Sequence, residues 1–338
     1  EAPPGARESA MTATLNRPVQ KQPVKPRTTF RQRLSKWDMK ASPYLSISPF
    51  FILFGITGLF PLVYTFWVSL HEWHLLKGQG DFVGLQNFAS VLGDTRFWGS
   101  LFNTFSIFLL SAIPQLVVAV FLAAILDQHL RAKTFWRMSV LLPYVVTPVA
   151  VALIFSKMFA ENNGLLNNLL GNFGVDPIMW QTGTLPSHIA IATMVNWRWT
   201  GYNALILLAA MQAVPRDLYE SAAIDGAGAV RRFFSITLPS IRPTMIFVII
   251  TATIGGLQIF AEPKLFDPVN AGGIQGQFQT TVLFLWDMGF QRQNFGKASA
   301  VAWLLFLIIV LVGLVNFLIS KRIATGDPQR PRATRRKS

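Results

Sequence analysis

Six long apolar segments constrain this chain more than any other feature of its sequence. They cover residues 46–70, 98–126, 138–156, 186–213, 243–261 and 298–320. A helix needs about 20 residues to cross a bilayer, and each segment is close to that length. Backbone polar groups must find internal partners in hydrocarbon, which favours helices. The sequence therefore predicts an all-α integral membrane protein with six transmembrane helices.

Composition supports this class of protein and removes several others. Hydrophobic residues make up 51% of the chain, charged residues 14%, and the mean hydropathy is +0.40. Such a chain is too apolar for an ordinary soluble protein. Without cysteine there are no disulfides, thiolate nucleophiles or cysteine metal sites, and the four scattered histidines predict no metal site and no catalytic triad. We place those histidines in solvated or interfacial positions.

Positive charge predicts the orientation of the spans. With the amino end inside, the cytoplasmic pieces hold 23 of the 30 Lys and Arg residues, six lie outside, and Arg198 lies within a span. An excess of basic residues in cytoplasmic loops is the usual topology signal. We therefore expect both termini in the cytoplasm. The high basic content then has a topological cause, and no nucleic-acid partner is expected.

Three regions are predicted along the chain. Residues 1–45 form a basic cytoplasmic arm, mobile except for one short helix near 30–39, residues 46–320 form the transmembrane domain, and residues 321–338 form a basic cytoplasmic tail. Residues 1–10 precede Met11, which resembles a native start. A non-native leader and an upstream extension both stay open for them, and they are left out of the fold prediction.

One polar and basic stretch, 214–243, lies between the fourth and fifth spans. Pro215 suits a first helical position, and Gly226 can close a helix in the left-handed conformation, which predicts a short helix over 216–225. Arg216 and Glu220 can pair along one side of it. A second amphipathic turn follows and is predicted to end at Pro239.

The order of residues in this stretch resembles the cytoplasmic EAA loop of binding-protein-dependent ABC importer permeases. The matching residues are Glu220, Ser221, Ala222, Gly226, Ile236, Leu238 and Pro239. Ser221 departs from the usual alanine but is also small. The flanks, 218–219 and 224–227, are similar to the sugar-importer branch that includes the maltose permeases. The alternative is an ordinary loop between membrane helices.

This resemblance implies an ABC importer permease fold in which the loop is a coupling helix seated in a cleft of a separate ATPase subunit. The residues expected to couple to it are Glu220, Ser221, Ala222, Asp225 and Gly226. The resemblance also implies a second permease subunit, two ATPase subunits and an extracytoplasmic sugar-binding protein, with the complex in the plasma membrane of a prokaryotic cell. This chain has no complete Walker motif, so we expect a non-catalytic subunit without a cofactor, with ATP and Mg on the ATPase partners.

The predicted outer loops carry weaker marks of the same family. Residues 82–88 are similar to a turn that sugar permeases carry after the first span, and residues 163–170 predict a short interfacial helix, with a bare connector as the alternative. Trp180 can anchor the return of that loop. The loop 262–297 is rich in Gly and Gln and can reach into a translocation path. Residues 255–266 resemble oligosaccharide permeases of the cellobiose type.

A cluster of polar and aromatic residues in the fourth span predicts the substrate path. A charge at this depth should face a protein interior or a water-filled cavity. Amides bond to sugar hydroxyls, and flat aromatic rings can cover a pyranose. The candidates are Asn196, Arg198, Trp199, Tyr202, Asn203, Gln258 and Glu262. The alternative is structural: Arg198 pairs with Glu262 or Asp287 to hold helices together.

These observations combine into one predicted function, the transmembrane permease subunit of an ATP-driven importer of a sugar, in the size range of a di- or oligosaccharide. Two other classes stay open at this stage. One is an ion-coupled secondary carrier, which would transport without partner chains. The other is a membrane assembly protein without a transport path.

Overall fold

The computed structural model describes residues 30–128, 131–267, 269–270 and 272–325, with side chains placed between 42 and 320. The predicted arm before residue 30 and the predicted tail after residue 325 lie outside the described residues, as does His129. Contacts divide the chain into two compact units, Glu1–Leu62 and Val63–Ser338. Each unit is described by itself.

In the first unit the described backbone is helical throughout. Helix α1 is Phe30–Phe54 and leads into a π-helical turn, Gly55–Leu59. The short helix predicted near residues 30–39 is therefore the start of a much longer one. Residues 30–42 are rich in Arg, Gln, Leu, Lys and Met, which favour helix, and nothing in them interrupts the helix before the apolar segment.

Helix α2, Phe60–Ser69, continues into the second unit and ends at a small β-hairpin. Strand β1, His71–His74, pairs antiparallel with strand β2, Gly78–Phe82. This hairpin is a departure from the purely helical prediction. The predicted turn at residues 82–88 follows and leads into α3, Gln86–Leu92. Buried Asn87 donates hydrogen bonds of 2.9 Å to the carbonyls of Ser69 and His71, so this turn fastens the hairpin to the helix before it.

The centre of the second unit is a pair of long helices, α4 (Thr95–Asp127) and α8 (Thr184–Gln212), which share the most extensive helix contact among the described residues. Asp94 caps α4 by accepting from the Arg96 backbone N–H, and it also forms an ion pair with the Arg96 guanidinium at 2.6 Å. That pairing lowers the pKa of the Asp94 carboxyl. Small residues such as Ala119, Ala123 and Ala204 are fully buried between the helices, as expected for close helix packing in membranes.

The third predicted span is not one straight helix. It consists of α5, Lys133–Val145, and α6, Pro148–Met158, which meet at an angle of 87°. Pro148 begins α6, where its missing N–H costs nothing, and the Thr147 hydroxyl caps the helix by accepting from the Ala150 N–H. Pro148 lies inside the predicted span 138–156, where it starts a new helix in a different direction.

The rest of the second unit is made of shorter helices and one long final helix. The helices that remain are α7 Leu165–Gly171, α9 Arg216–Ile224, α10 Ala229–Arg232, α11 Leu238–Ser240, α12 Arg242–Leu257, α13 Ala261–Phe266, α14 Thr281–Trp286 and α15 Phe295–Thr325. Two further π-helical turns are Phe233–Thr237 and Asp287–Gln291. The predicted short helix after residue 163 corresponds to α7. The fifth predicted span ends at Leu257 rather than at residue 261.

By length and composition, three helical runs in the described part of the chain can cross a membrane: Ser42–Ser69, Thr95–Asp127 and Phe295–Ser320. Two bent pairs raise the number to five if each pair is one span: Lys133–Val145 with Pro148–Met158, and Ala229–Ser240 with Arg242–Leu257. Helix α8 has 29 residues but contains the polar cluster around Arg198, and it is not among them. The predicted helical membrane fold is confirmed, with α8 as its polar member.

Candidate functional site: an exposed loop helix and a cavity beside it

Helix α9 forms where the sequence placed the coupling helix. It begins at Arg216, as predicted, and it ends at Ile224, one residue earlier than predicted, with Asp225 as its C-cap. Gly226 follows with a φ of +78°, a conformation that glycine adopts without strain. The Gly226 N–H donates to the Ala223 carbonyl, and the Ala227 N–H donates to the Ala222 carbonyl at 2.9 Å. This is the Schellman arrangement, which gives the helix a sharp and rigid end.

Nearly all of α9 is accessible, and none of its residues is buried. Glu220, Ser221 and Asp225 are exposed, and Ala222 is half-buried. Apolar side chains of this helix are exposed as well, because Leu218 and Ile224 are 49% and 88% exposed. The helix is tied back by the Tyr219 hydroxyl, which lies 2.9 Å from the Thr237 hydroxyl. A short helix with exposed apolar and charged residues presents a surface that another protein can cover.

Two details of this loop differ from the sequence prediction. Arg216 and Glu220 form no ion pair within 4.0 Å among the described side chains. Pro239 does not end the second amphipathic turn, because it lies in the first turn of α11, which continues to Ser240. The π-helical turn Phe233–Thr237 shifts the hydrogen-bond register just before this proline, and proline is tolerated in a first helical turn.

A cavity of about 570 Å³ lies between α4, α8, α12 and the chain that follows α12. Six of the seven residues predicted for the substrate path line it: Arg198, Trp199, Tyr202, Asn203, Gln258 and Glu262. Asn196 is the exception, and its Oδ1 atom is buried without a hydrogen-bond partner in the described structure. The predicted polar face of α8 and the end of α12 therefore line the same cavity.

An ion pair occupies one wall of this cavity. The Arg198 guanidinium lies 2.7 Å from the Glu262 carboxylate, and the two side chains are only 11% and 7% exposed. Of the two partners considered for Arg198, the structure selects Glu262, because Asp287 pairs with Arg292 at 2.9 Å. The pair joins α8 to α13. A buried charge with a partner costs far less than one without, so the pair removes the need for a ligand to neutralise Arg198.

Other residues at the cavity were missed by sequence reasoning. Gln115 on α4 accepts a hydrogen bond of 3.2 Å from Asn203, and Ser111 lines the same wall one turn earlier. Their spacing of four residues within an apolar helix was the signal available. Tyr144 on α5 stacks on Tyr202 with ring centroids 4.7 Å apart, although it lies 58 positions away in the sequence. No local pattern indicates that contact.

One glycine fixes how closely α5 approaches the polar face of α8. A Cβ atom placed on Gly201 would lie 1.8 Å from the Val140 carbonyl oxygen, so only glycine fits there. This close approach brings Tyr144 against Tyr202. The ring of Trp199 contacts the Tyr144 ring edge-on, with the ring centroids 5.2 Å apart. The aromatic group beside the cavity is thus built by two helices in direct backbone contact.

The loop between α13 and α14 is held in place by buried polar side chains. Asn103 on α4 donates to the carbonyl of Gly276 at 2.9 Å, and the His188 Nε2 atom lies 2.9 Å from the carbonyl of Gln277. His188 is 1% exposed, and its Nδ1 atom lies 2.8 Å from the Ser106 hydroxyl. The expectation of a solvated or interfacial role for this histidine was wrong. No local sequence pattern indicates that the loop folds back over His188.

Sequence and structure comparisons identify the family. The model for "binding-protein-dependent transport system inner membrane component" matches residues 87–325. The arabinooligosaccharides transport system permease protein AraP of Halalkalibacterium halodurans is 30% identical, over 85% of this chain and 90% of that protein. The trehalose/maltose transport system permease protein MalF of Thermococcus litoralis is 32% identical, over 82% of this chain and 93% of that protein.

A solved structure supports the fold. A chain of a bacterial alginate ABC transporter, in complex with an alginate pentasaccharide-bound periplasmic protein, has a TM-score of 0.73 and 22% identity. The match covers 86% of this chain and 98% of that one. At this identity the likeness concerns the fold alone. Together with the match over residues 87–325, it shows that this chain belongs to the family of binding-protein-dependent transport system inner membrane components.

Proposed function

We propose that this chain is the permease subunit of an ATP-driven importer that moves a di- or oligosaccharide, received from an extracytoplasmic binding protein. The observation that carries the proposal is the position of α9 in the chain. It follows directly after α8 and precedes α12, and both of those helices line the cavity. A partner protein that moves α9 would therefore act first on α8 and α12, the two helices that line the cavity.

The contacts of α9 suit this role. Its rigid Schellman end and the contact between Tyr219 and Thr237 keep it from turning independently of the segment that leads into α12. Its exposed surface, with Glu220 and Ser221, is the part that an ATPase subunit would cover. ATP binding and hydrolysis belong to that partner, and this chain acts as a non-catalytic subunit. The complex would contain a second permease subunit and two ATPase subunits.

The chemistry of the cavity is compatible with a sugar. Amides of Gln115, Asn203 and Gln258 offer donors and acceptors for hydroxyl groups, and the rings of Trp199 and Tyr202 offer flat apolar surfaces. Relatives named as transporters of arabinooligosaccharides, trehalose/maltose and lactose support a carbohydrate substrate. We place the chain in a prokaryotic plasma membrane, on the sources of these relatives. The distribution of its basic residues supports cytoplasmic termini.

Purification of the tagged full chain from its native membrane, followed by mass spectrometry of the accompanying proteins and bound sugar, tests this proposal. We expect a second permease subunit and an ATPase subunit in stable association, and ATP hydrolysis that rises when a sugar-loaded binding protein is added. A chain that purifies without any ATPase subunit and transports in response to an ion gradient would be a secondary carrier. A complex whose ATPase activity ignores every sugar would favour an assembly role.

A further inference from the structure

A second cavity in this unit is a groove of about 1280 Å³ beside α4 and the loop between α8 and α12. It is distinct from the cavity around Arg198. One wall is an apolar strip of α4 that includes Val117, Val120 and Phe121. Val117 and Phe121 are 64% and 65% exposed. The facing wall carries Phe233 and Phe234, from the π-helical turn after α10.

The length of the groove matches half a bilayer. Its lining on α4 extends from Leu116 to Asp127, which at 1.5 Å per residue is about 17 Å. The hydrocarbon core is about 30 Å thick, so one leaflet contributes about 15 Å. The groove therefore extends along α4 for about the depth of one leaflet, from the polar end of the helix towards its middle.

Charged groups gather at the polar end of the same groove. Lys133, Arg216 and Arg232 line it together with Asp127 and Glu220, which gives a formal charge of +1. None of the five takes part in an ion pair within 4.0 Å among the side chains that the structure describes. The Nε atom of Arg232 is buried and has no hydrogen-bond partner there. Buried polar groups normally have partners, and this nitrogen is a donor that an anionic group in the groove can use.

We propose that this groove is a binding site for an anionic phospholipid. An acyl chain lies along the α4 strip, and the phosphate accepts hydrogen bonds from Arg232, with Lys133 and Arg216 close to the headgroup. Arginine binds phosphate through its planar fork of donors, and basic pockets between membrane helices bind anionic headgroups. A lipid with a net charge of −1, such as phosphatidylglycerol, matches the +1 of the groove.

The main competing occupants fit less well. An ATPase subunit seated on α9 is a soluble protein, and it would not follow the α4 strip for a leaflet's depth into hydrocarbon. A helix from a second membrane subunit would cover Val117 and Phe121 equally well. An apolar helix, however, offers no side-chain acceptor to Arg232, because its backbone carbonyls are used within the helix.

Fluorescence quenching tests the site directly, because the chain has no cysteine of its own. Val120→Cys is labelled with bimane, and the full chain, with the subunits that accompany it, is placed in phosphatidylcholine nanodiscs. Acyl spin-labelled phosphatidylglycerol is added in one series and acyl spin-labelled phosphatidylcholine in another. We expect phosphatidylglycerol to quench at a lower mole fraction. Arg232→Gln should lower that preference about fivefold, the factor expected of one cation near an anionic membrane surface.

Arg231→Gln is the matched control, since Arg231 is the exposed neighbour of Arg232 and does not line the groove. It should leave the preference unchanged, and Lys133→Gln replaces Arg232→Gln if the latter does not fold. Equal quenching by the two lipids, or the same loss from Arg231→Gln, would overturn the proposal. An absence of quenching by either lipid would also overturn it, because neither lipid would then reach the groove. No outcome depends on transport, so the site stands or fails separately from the proposed function.

Discussion

The ion pair between Arg198 and Glu262 provides the sharpest prediction on stability. Glu262→Ala leaves the Arg198 guanidinium in a wall where its side chain is 11% exposed, and its Nε atom already lacks a partner among the described residues. Removing one partner of a buried pair typically costs about 3–5 kcal/mol. Trp199, whose ring lies 5.8 Å from the guanidinium carbon, already makes this contact beside Glu262, so it offers the cation no new partner. We expect a net loss of roughly 3 kcal/mol in the free energy of unfolding.

The assay is unfolding of the purified chain by SDS in mixed micelles, followed by circular dichroism. Arg198→Met combined with Glu262→Leu removes both charges at similar volume and should recover most of the loss. Asp287→Asn is the control, since its partner Arg292 is 46% exposed, and it should cost about 1 kcal/mol or less. A change below about 1 kcal/mol for Glu262→Ala, or no recovery in the double variant, would refute this account of the pair.

Three further predictions concern the loop, the topology and the cavity. Gly226→Ala places a side chain at a φ of +78° and should weaken the helix end by about 1–2 kcal/mol and lower sugar uptake per ATP hydrolysed. Gly228→Ala, at a position equally free of neighbours but with a negative φ, should leave that ratio unchanged. A tag inserted after Asp176 should label from outside intact cells and one after Gly228 only from inside; external labelling at Gly228 would disprove the six-span orientation. Tyr202→Ala and Gln258→Ala should each reduce uptake at least severalfold in assembled complexes, and normal uptake by both would remove these residues from the substrate path.

The loop helix was predictable because its determinants are local. Pro215, the polar first turn and Gly226 specify the start and the end of α9 within about a dozen residues, and the structure places both ends within one residue of the prediction. The membrane helices were predictable for a similar reason, since an apolar run of sufficient length has few alternatives to helix. The exposed state of α9 also followed from its position between two apolar segments.

Tertiary contacts account for most of what the sequence did not show. The bend at Thr147 depends on Pro148 beginning a helix, and a proline in an apolar run is also compatible with a kinked single span. Gln115 lines the cavity because α4 packs on α8, and Tyr144 stacks on Tyr202 because α5 packs on the same helix. His188 is buried because a distant loop folds over it. The pairing of Arg198 with Glu262 was one of two options, and only the path of the chain after α12 decides between them. The assignments of coupling and substrate-path residues stay predictions.

Sugar uptake into proteoliposomes tests whether this chain is part of an ATP-driven importer. The full chain is reconstituted with the subunits that purify with it, with binding protein and labelled oligosaccharide on one side and ATP with Mg on the other. We expect accumulation against a gradient that requires both ATP and the binding protein, and that stops when the surface of α9 is disrupted by Glu220→Ala. Accumulation by this chain alone, driven by a proton or sodium gradient and indifferent to ATP, would contradict it.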